Sequence, residues 1–395
     1  MLTSAQRNII KATVPVLETG GEALITHFYR LMLDTYPQVR PLFNEAHQVN
    51  GAQPRALANG VLMYARNIDK LENLGELAGR IINKHVSLQI LPEHYPIVGT
   101  CLLQAIREVL GTAVATDEVI AAWAAAYQQL ADILIEGEAN AYDAIAAAPG
   151  GWRGARSFRV ASKEVESAEI TSFYLVPTDS QPVIKHAAGQ YIGLRLMIDG
   201  QEVRRNYSLS EQANGVHYRI SVKREAGGVA STYLHDHVEE GSLLELFPPA
   251  GNFTLNDQAR PLVFISGGVG ITPTLAMAAE ALEAGLRPVT FIHYARNGQV
   301  HGFSQLLQAW RQRYPQFQCH VVYGQATDRD ACTPDAIGMP SVAHLEAWLP
   351  ADRDVDAYFL GPTPFMEFMK NALHDLGVPD PQARHEFFGP AQALA

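Results

Sequence analysis

The stretch GRIINKHVSLQILPEHY (residues 79–95) sets His85 among Ile81, Ile82, Val86 and Leu88, near the end of an apolar helical pattern that Pro92 stops. An imidazole there has two uses. In a chain with 14 histidines, the plain one is a core residue that hydrogen-bonds among helices. The chemical one is a ligand, because a neutral ring nitrogen is a common donor to metals. Two other stretches offer different chemistry. ISGGVGITP (265–273) puts Gly267, Gly268 and Gly270 between an apolar run and a helix start, where backbone N–H groups form an anion site; a turn packed for steric reasons is the alternative. RNYS (205–208) offers the Arg205 guanidinium to a phosphate and the Tyr207 face to a flat ring, or else supplies two ordinary strand residues.

The elements that must position these groups fall into three regions. Residues 1–148 are rich in Ala, Leu, Ile and Gln, with apolar residues at three- and four-residue steps, and predict an all-α domain of roughly seven helices punctuated by Pro37, Pro41, Gly51, Pro92 and Gly111. AAAPGGWRG breaks the pattern. Within 149–258, SFRVASKEV, ITSFYLVP, QYIGLRLMI, VRRNYSLS, VHYRISVKRE and SLLELFPP are short β-rich runs between Gly, Asp, Asn and Pro turns, which predicts a small antiparallel barrel. From 259 to 395, LVFISG, PVTFIHYA, FQCHVVYG and AYFLGP alternate with helical patterns, which predicts an α/β domain on a parallel sheet.

Totals narrow the function classes. A length of 395 residues with 47% hydrophobic and 18% charged residues predicts several globular domains with ample cores. A formal charge of −11 argues against nucleic acid and anionic lipid surfaces as general partners. Three widely spaced cysteines, Cys101, Cys319 and Cys332, form no disulfide framework or CxxC site, and a cytoplasmic setting is expected. The most apolar helical stretch, residues 119–135, carries Gln128, Gln129 and Asp132, so no integral membrane segment is expected.

The string GGVGITP resembles the nicotinamide-binding loop of the ferredoxin reductase family, which implies that Gly267, Gly268, Val269, Gly270, Ile271, Thr272 and Pro273 bind NAD(P). RNYS resembles that family's RxYS flavin motif, preceded by GQY and followed by SVKRE, GGVAS and YLH. The resemblance implies FAD contacts from Tyr191, Arg205, Asn206, Tyr207 and Ser208. YFLGPTPFM (358–366) resembles the CGPxPFM turn over the nicotinamide, with Leu360 where the family has Cys, so whatever that thiol contributes is missing. EFFGP (386–390) resembles the C-terminal segment whose aromatic covers the flavin, implying roles for Phe387, Phe388, Gly389 and Pro390, with Phe388 as the cover and Glu386 beside it.

An electron donor of this kind needs an acceptor, and the helical region has what a haem requires: an axial imidazole, apolar walls and polar groups on the opposite face. Tyr29, Phe43, Gln53, Leu57, His85, Tyr95 and Glu138 resemble, position by position, the globin half of the flavohaemoglobins, and the resemblance then spans the whole chain as globin, FAD barrel and NAD domain. It implies nitric oxide dioxygenase activity with haem b, FAD and NADH or NADPH, nitric oxide and dioxygen being the small-molecule partners. His85 is then the axial ligand. Tyr95 and Glu138 bond its far nitrogen, and Tyr29, Gln53, Phe43 and Leu57 line the distal side. Lys84 and Glu386 tune the haem and flavin potentials across the junction. The Leu- and Phe-rich distal lining would also admit a lipid or other apolar ligand. Pro54 restricts Gln53 to a helix start or a distorted first turn. A gas sensor or oxygen store, and a plain flavin reductase with haem incidental, are the rival classes, and no residue cluster after HYARN selects NADH or NADPH.

Overall fold

The computed structural model describes residues 2–43, 52–325, 327 and 333–388, with Ala52 and Gln53 described by backbone alone. The first region contains α1 (Ser4–Thr35), α2 (Ala52–Arg66), α3 (Gly75–Leu88), α4 (His94–Leu110) and α5 (Asp117–Ala147), with 3-10 turns at Pro37–Leu42 and Leu71–Leu74. Among the described residues that makes five α-helices and two 3-10 turns, where the periodicity predicts roughly seven helices. Each boundary has a local cause. The Thr3 hydroxyl accepts from the Gln6 amide while Gln6 reaches back to Thr3, a capping box that starts α1. Pro54 sits in the first turn of α2, where its missing N–H costs nothing. At the end of α3, Gln89 adopts φ 59, the left-handed cap conformation. The core formed by Ile10, Leu24, Phe28, Met32, Trp123 and Ala126 joins α1 to α5, and α3 packs across α5, which brings residue 85 toward residue 138.

The second region is a six-stranded antiparallel sheet of β1 (Arg156–Val165), β2 (Ile170–Pro177), β3 (Tyr191–Ile198), β4 (Gln201–Ser208), β5 (Tyr218–Lys223) and β6 (Leu243–Leu246), in the order β4-β3-β6-β1-β2-β5. A bridge between Leu209 and Ile220 joins the two outer strands and closes the barrel. Alternation puts Phe158, Val160, Phe173, Leu175, Leu194 and Leu196 inside. Burying each such aromatic or aliphatic side chain contributes roughly 1.5–3 kcal/mol. Helix α6 (Val229–His237) packs its Ala230 and Leu234 against this core.

The third region is a parallel sheet ordered β10-β9-β8-β7-β11-β12, built from β7 (Leu262–Gly267), β8 (Val289–Ala295), β9 (Phe317–Tyr323), β10 (Ala336–Ile337), β11 (Asp356–Leu360) and β12 (Ala383–His385). Helices α7 (Ile271–Ala284), α8 (Ser304–Arg313), α9 (Val342–Trp348) and α10 (Thr363–Asp375) supply the crossovers. Strands β7, β8 and β11 are buried on both faces, hence their largely apolar runs. Edge strands β10 and β12, two and three residues long, are too short to leave a periodic signal. No helix among the described residues is long and apolar enough to cross a membrane.

Candidate functional site

The question raised by His85 is answered by what holds its ring. On α3, one turn from the helix end, the imidazole Nδ1 lies 2.7 Å from Glu138 Oε1 and 3.2 Å from the Tyr95 hydroxyl. Tyr95 donates to the same carboxylate oxygen at 2.6 Å, and Tyr127 donates to the Tyr95 carbonyl at 2.6 Å. A carboxylate only accepts, so the Nδ1 position carries the proton and the lone pair is left on Nε2. Glu138 is 2% exposed, whereas the His85 side chain keeps 30% of its surface. A buried carboxylate that fixes the tautomer and an accessible basic nitrogen beyond it are what an axial ligand to iron requires. Burial, reinforced by the Glu138 bond, pushes the Tyr95 phenol well above its usual range, so Tyr95 stays a proton donor.

Tyr29 is buried on α1 and meets the Phe43 ring edge-on with centroids 5.6 Å apart. Phe43 and Leu57 are half-buried against the same apolar cluster. The Gln53 side chain lies outside the described residues, although its backbone falls in the first turn of α2 as Pro54 predicts.

Of the residues expected to contact a flavin, Tyr191 lies on β3 and Arg205, Asn206, Tyr207 and Ser208 lie on β4. Tyr191, Arg205, Tyr207 and Ser208 are half-buried. Gly251, at φ 108, lets the chain pass so close to the Tyr191 ring that a Cβ would stand 2.8 Å from it. Burial, then the Glu386 carboxylate, pushes the Tyr191 phenol up, against an opposing hydrogen bond from Ser87. Asn206 donates from Nδ2 to Ser87 Oγ of the helical domain at 3.1 Å, while its buried Oδ1 has no partner among the described residues. Arg205, on the other face of β4, suits the FAD pyrophosphate. Lys84 Nζ stands 5.5 Å above the Tyr191 ring. Burial pushes its ammonium down and the Glu386 carboxyl up, each opposed by the charge of the other. Of the C-terminal aromatics, Phe387 meets His385 edge-on, whereas Phe388 is 51% exposed. Gly389 and Pro390 lie outside the described residues.

In the glycine loop, Gly268 takes φ 55 and a Cβ on Gly270 would stand 2.5 Å from the Leu360 carbonyl. Ile271, Thr272 and Pro273 are buried as α7 begins, and Thr272 Oγ1 bonds the Val269 carbonyl at 2.9 Å. Their side chains therefore serve packing, and the loop presents its backbone. No side chain caps the N-terminus of α7, leaving first-turn N–H groups for an anion. A Cβ on Gly267 would stand 3.4 Å from the Phe365 ring. Leu360, in place of the family's thiol, is 1% exposed in the apolar core, where it packs with Ile271 and Leu275. Sequence reasoning passed over Ser87, Arg204 and Gly193 at the domain junction, although the period of two along β4 carries the signal.

Comparison with known proteins matches residues 26–134 to the globin family, 157–255 to the oxidoreductase FAD-binding domain and 264–371 to the oxidoreductase NAD-binding domain. Flavohemoproteins of Pseudomonas aeruginosa and Deinococcus radiodurans are 64% and 48% identical, the first covering 100% of both chains and the second 100% of this chain and 99% of its own. The crystal structure of a flavohemoglobin from Malassezia yamatoensis with bound FAD and heme superposes with a TM-score of 0.85 at 27% identity, over 98% of this chain and 100% of that one. The FAD/NAD-binding domain of a nitric oxide dioxygenase from Vibrio cholerae gives 0.55 at 36% identity over 60% of this chain and 100% of its own. Three domains matched in order, over the full length of close relatives, place this chain in the flavohemoprotein family, oxidoreductases that join a globin to FAD- and NAD-binding domains.

Proposed function

We propose that the chain is a nitric oxide dioxygenase, oxidising nitric oxide to nitrate with dioxygen and NAD(P)H. The observation that carries this reading is the Glu138 carboxylate bonded to His85 Nδ1 at 2.7 Å, an electron-donating proximal set in a chain that also has a complete flavin and nicotinamide module. When bound, FAD takes hydride from NAD(P)H and haem b takes single electrons for the reaction of dioxygen with nitric oxide. His85 Nε2 would hold the iron. Glu138, held by Tyr95, keeps the proton on Nδ1 and raises the donor strength of Nε2, which favours activating dioxygen over storing it. Tyr29 supplies a buried phenol O–H on the dioxygen side, a preorganised donor for developing negative charge, with Gln53 as the second polar group there. Phe43 and Leu57 keep that side apolar, which suits the diatomic substrates and also a lipid chain. Arg205 would pair with the FAD pyrophosphate. Tyr191, Tyr207 and Phe388 would hold the flavin ring, with Ser208 beside them. The backbone of Gly267–Gly270 would receive NAD(P)H, and Lys84 with Glu386 would set the local field at the junction. A cytoplasmic setting supplies the nicotinamide.

The test uses the holoprotein with NADH, dioxygen and nitric oxide. The expected result is rapid oxygen-dependent loss of nitric oxide with an equal amount of nitrate formed. Slow, oxygen-independent loss without nitrate would instead mark a gas store or sensor.

A further inference from the structure

Strand β4 faces two ways. Successive side chains alternate, so Arg205 and Tyr207 share one face, and Arg204 and Asn206 share the other. The second pair reaches the end of α3, the helix that carries His85. The last carbonyls of that helix can be accounted for one by one. Lys84 O accepts from Ser87 Oγ at 2.7 Å. His85 O accepts from the Ile90 amide at 2.9 Å. Val86 O accepts from the Gln89 amide at 3.1 Å and from its side chain at 2.8 Å. Ser87 O abuts Gly193 of β3, where a Cβ would stand 2.5 Å from it, so only glycine lets the barrel come this close. Leu88 O accepts from Arg204 Nη1 at 2.5 Å. The same guanidinium donates from Nε to Glu202 at 2.6 Å and lies 5.1 Å over the Phe247 ring, so barrel residues preset its direction. A cation at a helix C-terminus is also favoured by the helix dipole.

We propose that Arg204 is a positioning residue: by capping α3 from β4 it fixes the helix of His85 against the flavin-binding strand, so that electron passage from flavin to globin depends on it while hydride uptake does not. The inference rests on the functional reading above.

The experiment compares full-length holoprotein with Arg204→Ala and Arg204→Lys. Three quantities are read: hydrogen exchange at the Gln89 and Ile90 amides, NADH-driven reduction of ferricyanide, and the anaerobic rate of iron reduction by the reduced flavin. In Arg204→Ala, exchange at those amides should quicken about tenfold, because a charge-assisted bond at the helix end is lost. Iron reduction should slow about tenfold with the misplaced geometry, while ferricyanide reduction stays unchanged. Arg204→Lys, which keeps one donor to Leu88, should recover part of both losses. Unchanged exchange overturns the cap. Faster exchange with unchanged iron reduction overturns the positioning role. If the unsubstituted chain reduces ferricyanide but never its iron, the functional reading falls and the proposal with it, an outcome separated from the others by needing no variant.

Discussion

Two histidines in different domains set Nδ1 against a tyrosine hydroxyl: His85 against Tyr95 at 3.2 Å in the globin, and His301 against Tyr323 at 2.9 Å in the NAD domain. Their surroundings differ in two respects. His85 also has a carboxylate on Nδ1 and keeps 30% of its side-chain surface, whereas His301 is 3% exposed, and its Nε2 is buried without a partner among the described residues. Its ring lies tilted beside His293 with centroids 4.8 Å apart. Burial, helped by the Arg311 charge, lowers its pKa to about 4. The same residue pair is thus an accessible imidazole tied to a carboxylate in one place and a buried neutral one in the other. What separates them is an acceptor that fixes the proton on one nitrogen and an open face for the other.

Breaking the first member of this pair gives the largest effect. His85→Ala should abolish iron binding and nitric oxide turnover while sparing NADH-driven ferricyanide reduction, read from the Soret band and two activity assays; equal loss of both activities would contradict the domain assignment. Glu138→Gln keeps the shape but removes the charge, and nitric oxide turnover should fall by about 10–100-fold, the usual cost of losing an outer partner of a metal-bound His. A shift of the ferrous carbonyl stretch should accompany it, and an unmoved stretch would deny Glu138 its electronic role. In the other domain, Gly270→Ala forces a Cβ toward the Leu360 carbonyl. The loop must shift, and the KM for NADH should rise about tenfold while the Soret band is untouched. The last effect, on stability rather than on turnover, sharpens the contrast. His301 has its folded pKa at about 4, below the unfolded value of roughly 6.5. The unfolded chain therefore binds more protons between these values, and the stability this site contributes is complete above pH 6.5 and lost as pH falls toward 4, by at most about 3 kcal/mol. His301→Gln should flatten that acid limb in denaturant titrations at several pH values; an unchanged slope would mean the buried ring already carries a proton.

How much of this was legible follows from the same contrast. The three domains and all six barrel strands could be read because long helices and alternating strands repeat their signal many times. The NAD loop could be read as a backbone site because glycines report it directly. His85 could not be recognised as a ligand by periodicity alone, since the group that holds its ring, Glu138, is 53 positions away in sequence; resemblance to a family decided it. Asn206 sat inside a flavin motif, yet its amide reaches the helical domain, because strand pleating turns neighbours to opposite sides. The contact of Arg204 with Leu88 spans 116 positions, and nothing local to either residue announces it. Leu360, which looked like a gap in the nicotinamide turn, is a core residue whose carbonyl packs on Gly270.

The central claim, that a flavin and an iron held at His85 work in series within one chain, is tested most directly by mixing the anaerobic holoprotein with NADH and following flavin and Soret absorbance together. The account predicts that flavin bleaching comes first and the ferric Soret band then shifts to its ferrous position at a rate independent of protein concentration. A bleached flavin beside a Soret band that never moves, or moves only as protein concentration rises, would contradict it.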